Sequence, residues 1–318
     1  MKIRCLSAGI LFADVGCAPI DHAPVPGELV QTDRVELSLG GCASNVSINL
    51  AKLEVPTGLT GCVGDDAFSD YILKSLANPL VDVSGVRRVA NSSPGCSLIV
   101  NVKDEDRRFV STTGANAQFS VADIPQAWTD QAEILYIGGY LMMERLEERD
   151  TIEYFKAFQA RGGKTMLDVV LYGTRPYWPV IEPLLPYVDY FMPNDDEGYA
   201  ITGKKDPVDQ AKFFTDAGAK TCVITCGDEG SIYYSSNEKF RAEIFRTEFV
   251  GGTGSGDAFD AGLISALLDG CDPYESVKRA TAQGMSCVRH GSATQSVFTK
   301  SESEEFLAGR ELKTTPLR

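Results

Sequence analysis

Short apolar runs that alternate with amphipathic stretches constrain the fold of this 318-residue sequence more than any other feature. The strands predicted from these runs are 134–137, 164–170, 187–192 and 221–225, and the predicted helices are 151–160 and 206–217. Strands that alternate with helices in this way are typical of βαβ units. We therefore expect an α/β fold built on a mostly parallel central sheet.

Two segments interrupt this rhythm. Residues 14–39 contain three prolines and a run of alternating polarity at 35–39, whereas residues 97–112 contain two half-polar strands around the polar turn 103–107. Half-polar antiparallel strands fit a small sheet with one solvated face. We expect residues 1–318 to form a single α/β domain, with a small β-sheet lid whose strands are inserted at about 14–39 and 97–112.

Composition excludes several classes of protein. With 30 basic and 44 acidic residues the net charge is −14, which argues against a nucleic-acid-binding surface. No apolar run approaches the roughly 20 residues of a membrane helix, and the N-terminus lacks the apolar core of a signal peptide. Nine cysteines without a CxxC pair predict free thiols and a cytoplasmic protein. The two histidines, His22 and His290, argue against a histidine-rich metal site or a Ser-His-Asp triad.

A glycine-rich loop at 251–256 precedes a long apolar helix former, 258–268, and is the most informative stretch. Backbone N–H groups at a helix N-terminus are unpaired and attract anions, and glycines let phosphate oxygens approach them closely. Asp257 stands at this helix start, where it could cap the helix or accept a proton from an attacking hydroxyl. The loop fits neither a Walker sequence nor GxGxxG.

Two other segments have ordinary structural interpretations. Residues 198–205 match GxxxxGK but lack the Ser or Thr that holds Mg²⁺, so we expect a helix end with a glycine cap at Gly203. Near the C-terminus we expect a short helix at 302–308, stopped by Gly309, and then a loose end.

Together the motifs resemble those of the PfkB (ribokinase-like) family of carbohydrate kinases, in order and over nearly the whole chain. The matching segments are Gly40-Gly41-Cys42-Ala43-Ser44-Asn45, residues 63–68, residues 113–117, Pro193-Asn194-Asp195-Asp196-Glu197, residues 225–230 and residues 251–259. The resemblance implies a ribokinase-like three-layer fold with a β-sheet lid. It also implies transfer of the γ-phosphoryl group of ATP to a hydroxymethyl group.

The resemblance implies roles for individual residues. Asp257 would be the general base, and the N–H groups of Gly254, Ser255 and Gly256 would form an anion hole. The implied substrate contacts are Asp14, Gly40, Gly41 and Asn45. The implied nucleotide contacts are Asn194, Thr225, Gly227, Gly230, Gly254 and Thr281. Asn194 and Glu197 would organise Mg²⁺, largely through water.

Most of these residues also have a simpler interpretation. Asn194 and Glu197 have the spacing of a helix capping box, and Asn45 could cap the helix that follows it. Thr225, Gly227 and Gly230 could form only a strand end and a turn, and Asp14 could be an ordinary loop acid.

The sequence departs from the family pattern at several positions. Gly251 stands where the family usually has an Asp beside a monovalent-cation site, so we expect weak or absent activation by K⁺; a rate increase in K⁺ over Na⁺ would contradict this. Thr281 stands where relatives often place an Asn near adenine. The strand end 137–139 also lacks the acid that some relatives carry there.

These observations leave three hypotheses: a sugar kinase, a nucleoside kinase on the same fold, and a binding protein that has lost catalysis. Retention of Asp257 favours an enzyme, and a small free sugar is the preferred acceptor. A phosphorylated acceptor would need additional cations. The basic residues near Asn45 in sequence, which we expect to form solvated faces, are Lys52, Arg87, Arg88, Arg107 and Arg108. By analogy with the family we also expect a homodimer formed through the lid.

Overall fold

The computed structural model describes residues 1–103, 105, 108–147, 149–290 and 292–317. In this part of the chain the strands are β1 (Cys5–Gly9), β2 (Phe12–Cys17), β3 (Val35–Gly40), β4 (Thr57–Val63), β5 (Val81–Arg88), β6 (Gly95–Val100), β7 (Arg108–Thr112), β8 (Ile134–Gly138), β9 (Lys164–Leu167), β10 (Tyr190–Phe191), β11 (Thr221–Thr225), β12 (Ser231–Ser235), β13 (Lys239–Ala242) and β14 (Thr314–Pro316). The α-helices are α1 (Cys42–Lys52), α2 (Ala67–Ser75), α3 (Gln126–Thr129), α4 (Arg149–Ala160), α5 (Trp178–Ile181), α6 (Asp195–Thr202), α7 (Pro207–Asp216), α8 (Ser255–Leu268), α9 (Pro273–Cys287) and α10 (Lys300–Leu307).

Ten of these strands form one sheet in the order β14-β13-β12-β11-β10-β9-β8-β1-β4-β5. Pairing is parallel from β5 through to β11 and antiparallel from β11 to β14. The carboxyl ends of the parallel strands meet at one edge, where ligands bind in open α/β sheets. The predicted α/β fold with a mostly parallel sheet is confirmed.

Alternate residues of the central strands face two different helical layers. Leu135 and Leu167 contribute to a core that includes Phe155 and Phe214 from α4 and α7. Their neighbours Ile134 and Met166 contribute to a second core; its helical members come from α1, α8 and α9, among them Val46, Leu50, Leu263 and Val277. Successive side chains of each central strand point to opposite faces of the sheet, and helices bury both faces. The sheet and its two helical layers therefore form three layers.

The predicted lid is a separate four-stranded sheet in the order β3-β2-β6-β7. The hairpin expected in the second inserted segment is confirmed, because β6 and β7 pair antiparallel with Cys96 opposite Thr112. One expectation was wrong in detail. β2 and β6 pair in parallel, since the chain crosses the main sheet between them instead of turning back directly.

Several element boundaries differ from the sequence-based ones. The strand expected at 187–192 covers only Tyr190–Phe191, because a 3₁₀ turn occupies Leu185–Tyr187. Gly203 ends α6 in the left-handed conformation with φ 71°, as expected for a C-terminal cap. All nine cysteines are free thiols. Within the described residues, no helix is both long and apolar enough to cross a membrane.

The expectation of a loose C-terminal end was wrong. After α10 and Gly309, the chain returns to the main sheet and β14 pairs antiparallel with β13. Leu312, which is only 3% exposed, anchors the return in the core, and the Tyr274 hydroxyl donates to its carbonyl at 3.1 Å. The sequence analysis did not recognise this return, because three extended residues and one buried leucine form too short an apolar pattern.

We predict that Leu312→Ala lowers the free energy of unfolding by about 2–5 kcal/mol, because it leaves a cavity under the edge of the sheet. Urea denaturation followed by circular dichroism measures this change. Leu29→Ala is the matched control, since Leu29 is 83% exposed, and its effect is expected to stay within about 0.5 kcal/mol. Equal effects of the two substitutions would contradict a structural role for the C-terminal return.

Candidate active site

The glycine loop and the start of α8 form a helix N-terminus that is open to a ligand. Gly254 has φ 76°, and a Cβ at this position would lie 2.2 Å from the Ala293 Cβ, so only glycine fits. Gly256 is exposed, with no atom within 4 Å of the position of a Cβ. The Ser255 N–H and hydroxyl both donate to the Gly252 carbonyl, at 3.2 and 2.9 Å. Of the three expected anion-hole groups, Ser255 is thus engaged within its own loop.

Asp257 lies in the first turn of α8 and does not cap it. The cap position is Gly254, and no side chain caps the helix. The Asn45 side-chain amide donates to Asp257 Oδ2 at 2.7 Å. Asn45 is likewise inside α1, which begins at Cys42, so its interpretation as a helix cap was also wrong. Removal from water raises the pKa of Asp257, and hydrogen bonds from Asn45 and Cys42 partly oppose this.

Asp168 is a site residue that the sequence analysis missed. It directly follows β9, and the Gly139 N–H and the Tyr136 hydroxyl each donate to its Oδ2 at 3.4 Å. Burial and the negative charge of Asp257 raise the pKa of Asp168 to about 8. The acid expected to be missing near 137–139 is therefore supplied by the neighbouring strand. An acid directly after a buried parallel strand was the available signal.

Asp257 and Asp168 belong to a larger group of acidic side chains. Cys42 Sγ and one oxygen from each of these two carboxylates lie within 4.8 Å of one another. Burial and neighbouring carboxylates raise the pKa values of Glu197 and Asp260 well above their usual range. No cation is among the causes of the shifts at these four carboxylates. Such a group favours protons or a divalent cation, and its oxygen donors suit Mg²⁺.

Asn194 and Glu197 form the capping box that their spacing predicts. The Asn194 N–H donates to Glu197 Oε2 at 2.9 Å, and the Glu197 N–H donates to Asn194 Oδ1 at 2.8 Å. The box starts α6 next to the end of β11, where Asn194 bridges to Thr225. It leaves Glu197 Oε1 and the Asn194 side-chain amide without a partner in the box. A structural role is therefore established, and a role with Mg²⁺ remains a prediction.

The remaining expected nucleotide contacts lie on two elements. Gly227 and Gly230 have φ values of 56° and 90° in the turn after β11, and the space beside Gly227 is open. Gly230 is tightly packed, since a Cβ there would lie 2.0 Å from the Ala242 carbonyl oxygen. Thr281 is buried in α9, and its hydroxyl donates to the Val277 carbonyl at 2.8 Å. The structure therefore does not present the Thr281 hydroxyl to the open cleft.

The expected substrate residues lie where the lid joins the main sheet. Asp14 is on β2, and a Cβ at Gly40 on β3 would lie 2.0 Å from Asp14 Oδ2. Gly41 starts α1 with φ 87°, and a Cβ there would lie 2.5 Å from the Ile10 carbonyl oxygen. Burial and the charge of Asp257 raise the pKa of Asp14 to about 6. Two glycines and one acid of the lid thus face the same space as Asp257.

Lys52 does not form the solvated face that the sequence suggested. Its ammonium group donates to the carbonyls of Thr294, Gln295 and Val297 at 2.5, 3.1 and 2.9 Å. These carbonyls belong to the loop whose Ala293 lies against Gly254. Lys52 therefore supports the glycine-rich loop through this second loop. Arg87, Arg88 and Arg108 pair with Asp123, Asp70 and Glu105, respectively. Arg107 lies outside the described residues.

Comparison with known proteins agrees with this arrangement. Residues 3–300 match the pfkB family of carbohydrate kinases. The chain belongs to that family. A 2-dehydro-3-deoxygluconokinase from Bacillus subtilis is 29% identical over 297 residues, 89% of this chain and 91% of the relative. A ribokinase from Haemophilus influenzae is 25% identical over 288 residues, with the same coverage of 89% and 91%.

Solved structures show the same fold. The ribokinase of Thermotoga maritima superposes with a TM-score of 0.81 at 25% identity, covering 97% of this chain and 100% of the other. The ribokinase of Arabidopsis thaliana, complexed with ribose and ATP, superposes with a TM-score of 0.83 at 24% identity, covering 96% and 99%. The ribokinase-like fold is thereby confirmed, and this member of the pfkB family is an ATP-dependent kinase.

We predict that Asp168→Asn reduces the loss of stability between about pH 4 and pH 8. Asp168 has a folded-state pKa of about 8, above the value of about 4 in the unfolded chain. The folded protein therefore loses stability as the pH rises from about 4 to 8, by up to about 1.4 kcal/mol per pH unit from this group. Urea denaturation from pH 5 to 9 measures the difference between wild type and variant. A difference that stays constant over this range would contradict the assignment.

Proposed function

We propose that this kinase transfers the γ-phosphoryl group of ATP to a hydroxymethyl group of a small neutral sugar. The observation that carries the proposal is the Asn45–Asp257 hydrogen bond of 2.7 Å at the glycine-rich start of α8, where Gly256 is exposed. It places a proton acceptor next to a group that attracts phosphate oxygens. A base and an anion-binding helix start in one cleft are what phosphoryl transfer to an alcohol requires.

Asp257 acts as the general base in this proposal. The acceptor hydroxyl oxygen forms a bond to the γ-phosphorus, the bond from that phosphorus to the β–γ bridging oxygen breaks, and ADP leaves. The hydroxyl proton moves to Asp257. A carboxylate whose pKa is raised by its surroundings holds this proton more readily than one in water. Asn45 keeps Oδ2 fixed, so that the other oxygen faces the acceptor.

The start of α8 stabilises charge on the transferred group. A helix start has N–H groups without intrahelical partners, so the Gly254 and Gly256 N–H groups would bind the transferred group, and the helix dipole adds partial positive charge there. Ser255 would contribute its N–H in place of its hydrogen bond to the Gly252 carbonyl. Asp168, Glu197 and Asn194 would hold Mg²⁺, which neutralises phosphate charge when bound. Thr225 and Gly227 line the nucleotide side of the cleft.

The acceptor is neutral because the acceptor side of the cleft is acidic. Asp14 and Asp257 have raised pKa values, and no cation among the described residues is a cause of either shift. Carboxylate and carboxamide groups pair well with the adjacent hydroxyls of a polyol. A carboxylate or phosphate on the acceptor would face these two acids without a counter-charge from the described residues. A free sugar therefore fits better than an acid sugar or a sugar phosphate.

A thermal-shift screen of sugars, sugar acids, sugar phosphates and nucleosides tests the choice of acceptor, in the presence of a non-hydrolysable ATP analogue. A ligand that binds the folded state raises the melting temperature in proportion to the logarithm of its concentration over its Kd. We expect a neutral sugar to give the largest shift. A larger shift with a sugar acid would overturn the neutral acceptor, and a larger shift with a nucleoside would favour a nucleoside kinase.

We predict that Asp257→Asn lowers kcat by about 10²–10⁴-fold while ATP binding is retained, because the proton acceptor is lost and the shape is nearly unchanged. Coupled measurement of ADP release and calorimetry with the ATP analogue separate the two effects. Asp228→Asn is a matched control on an exposed acid of the turn after β11. Turnover of Asp257→Asn close to wild type would exclude Asp257 as the base.

We also propose a homodimer formed through the lid. One face of the lid carries large apolar side chains that are exposed in the single chain: Val35, Leu37, Leu98 and Val110. Contiguous exposed apolar surface of this kind is typical of protein interfaces.

We predict that Val110→Glu converts the protein to a monomer, because a buried charge at the interface would have no partner. Sedimentation velocity gives the mass of the wild type and of the variant. Val25→Glu, on the loop before β3, serves as an exposed control that leaves the dimer intact. A monomeric wild type at micromolar concentration would contradict the proposal.

A further inference from the structure

A second cavity lies away from the acidic cleft, between α8, α9 and α10. Its volume is about 240 Å³, the space of roughly eight water molecules. Leu53, Gly262 and Leu307 form apolar walls, while Gln283 and Ser303 contribute polar groups. Charged residues also line the cavity, three basic and two acidic: Lys278, Arg279, Lys300, Glu275 and Glu304. A small, mostly apolar cavity with a few converging polar side chains is the usual form of a small-molecule site.

Gln283 is the first polar residue of the cavity, and its side-chain amide has no hydrogen-bond partner among the described residues. It is 1% exposed, and neither its amide oxygen nor its amide nitrogen has a hydrogen-bond partner among the described residues. Gly262 on α8 makes room for it, since a Cβ there would lie 2.9 Å from Gln283 Cγ. A buried amide without hydrogen-bond partners lowers the stability of the folded protein. A ligand with one acceptor and one donor would remove this destabilisation.

Lys278 is the second polar group of the cavity. It is 8% exposed, and its ammonium forms an ion pair of 3.6 Å with Glu275 Oε2, which is too long for a hydrogen bond. The same carboxylate already accepts from Arg279 Nε at 3.1 Å. Arg279 and Lys300 have further partners outside the cavity, in Asp269 and Glu54. Among the described residues, the buried Lys278 ammonium therefore has N–H donors that can bind a ligand.

We propose that this cavity binds a small hydroxylated organic anion, with the anionic group on Lys278 and a hydroxyl on the Gln283 amide. Ser303, 6% exposed on α10, places a further hydroxyl at the same cavity. A carboxylate and a phosphate share the chemistry that Lys278 recognises. This cavity would bind an anionic group, whereas the acidic cleft favours an uncharged acceptor. The two ligands are therefore distinct.

Calorimetric titration of the full chain, saturated with the ATP analogue, tests the proposal with three probes of matched size. Glycerate supplies a carboxylate, glycerol 3-phosphate supplies a phosphate, and glycerol supplies hydroxyls alone. We expect at least one anion to bind saturably at millimolar or lower concentration, and glycerol not to bind. No saturable binding of either anion, or binding of glycerol as tight as that of the anions, would overturn the proposal.

Variants locate the binding. Lys278→Met is expected to weaken the anion at least tenfold, and Gln283→Leu is expected to weaken it to a smaller degree. Ser303→Leu changes the cavity from a different helix and should also block binding. It serves as the second test if Lys278→Met does not fold. Lys220→Met is the matched control, because Lys220 is an exposed lysine paired with Asp189. Wild-type affinity in a folded Lys278→Met or Ser303→Leu variant would overturn the proposal.

Discussion

The hydrogen bond between Asn45 and Asp257 joins the two helices on which the site depends. α1 carries Asn45 and follows directly from the last strand of the lid, whereas α8 carries Asp257 and follows the glycine loop. Residues 212 positions apart thus meet at 2.7 Å. This contact links α1, which follows the lid strand β3, to the helix that follows the glycine loop. Without this hydrogen bond, no direct polar contact at Asp257 would join the α1 side of the acidic cleft to the α8 side.

Charge is distributed unevenly around this contact. Carboxylates from three separate elements gather in the cleft, and no cation among the described residues is a cause of their pKa shifts, whereas the basic residues nearest to Asn45 in sequence are paired elsewhere. Lys52 is the clearest example, because its ammonium is satisfied by three backbone carbonyls. A net charge of −14 is therefore compatible with a phosphate site, since backbone N–H groups and not side chains provide the positive pole.

Local patterns predicted the sheet, the lid hairpin and the glycine loop, because each depends on the periodicity or conformational freedom of neighbouring residues. Asp168 was missed because its role arises from strand order: β9 lies beside β8, and no local pattern reports that neighbour. The role of Lys52 also depends on contacts across 242 or more positions. The capping box of Asn194 and Glu197 shows the reverse case, in which a local pattern alone predicted the contacts that the structure shows.

The return of the C-terminus to the sheet has a consequence for the order in which the molecule can be built. Until residues 314–316 leave the ribosome, β13 is an outer strand with unpaired N–H and C=O groups beside the stacked rings of Tyr233 and Phe240. Such an edge is prone to pairing with other chains. The nascent protein therefore carries this unpaired strand edge from the time β13 is made until residues 314–316 pair with it.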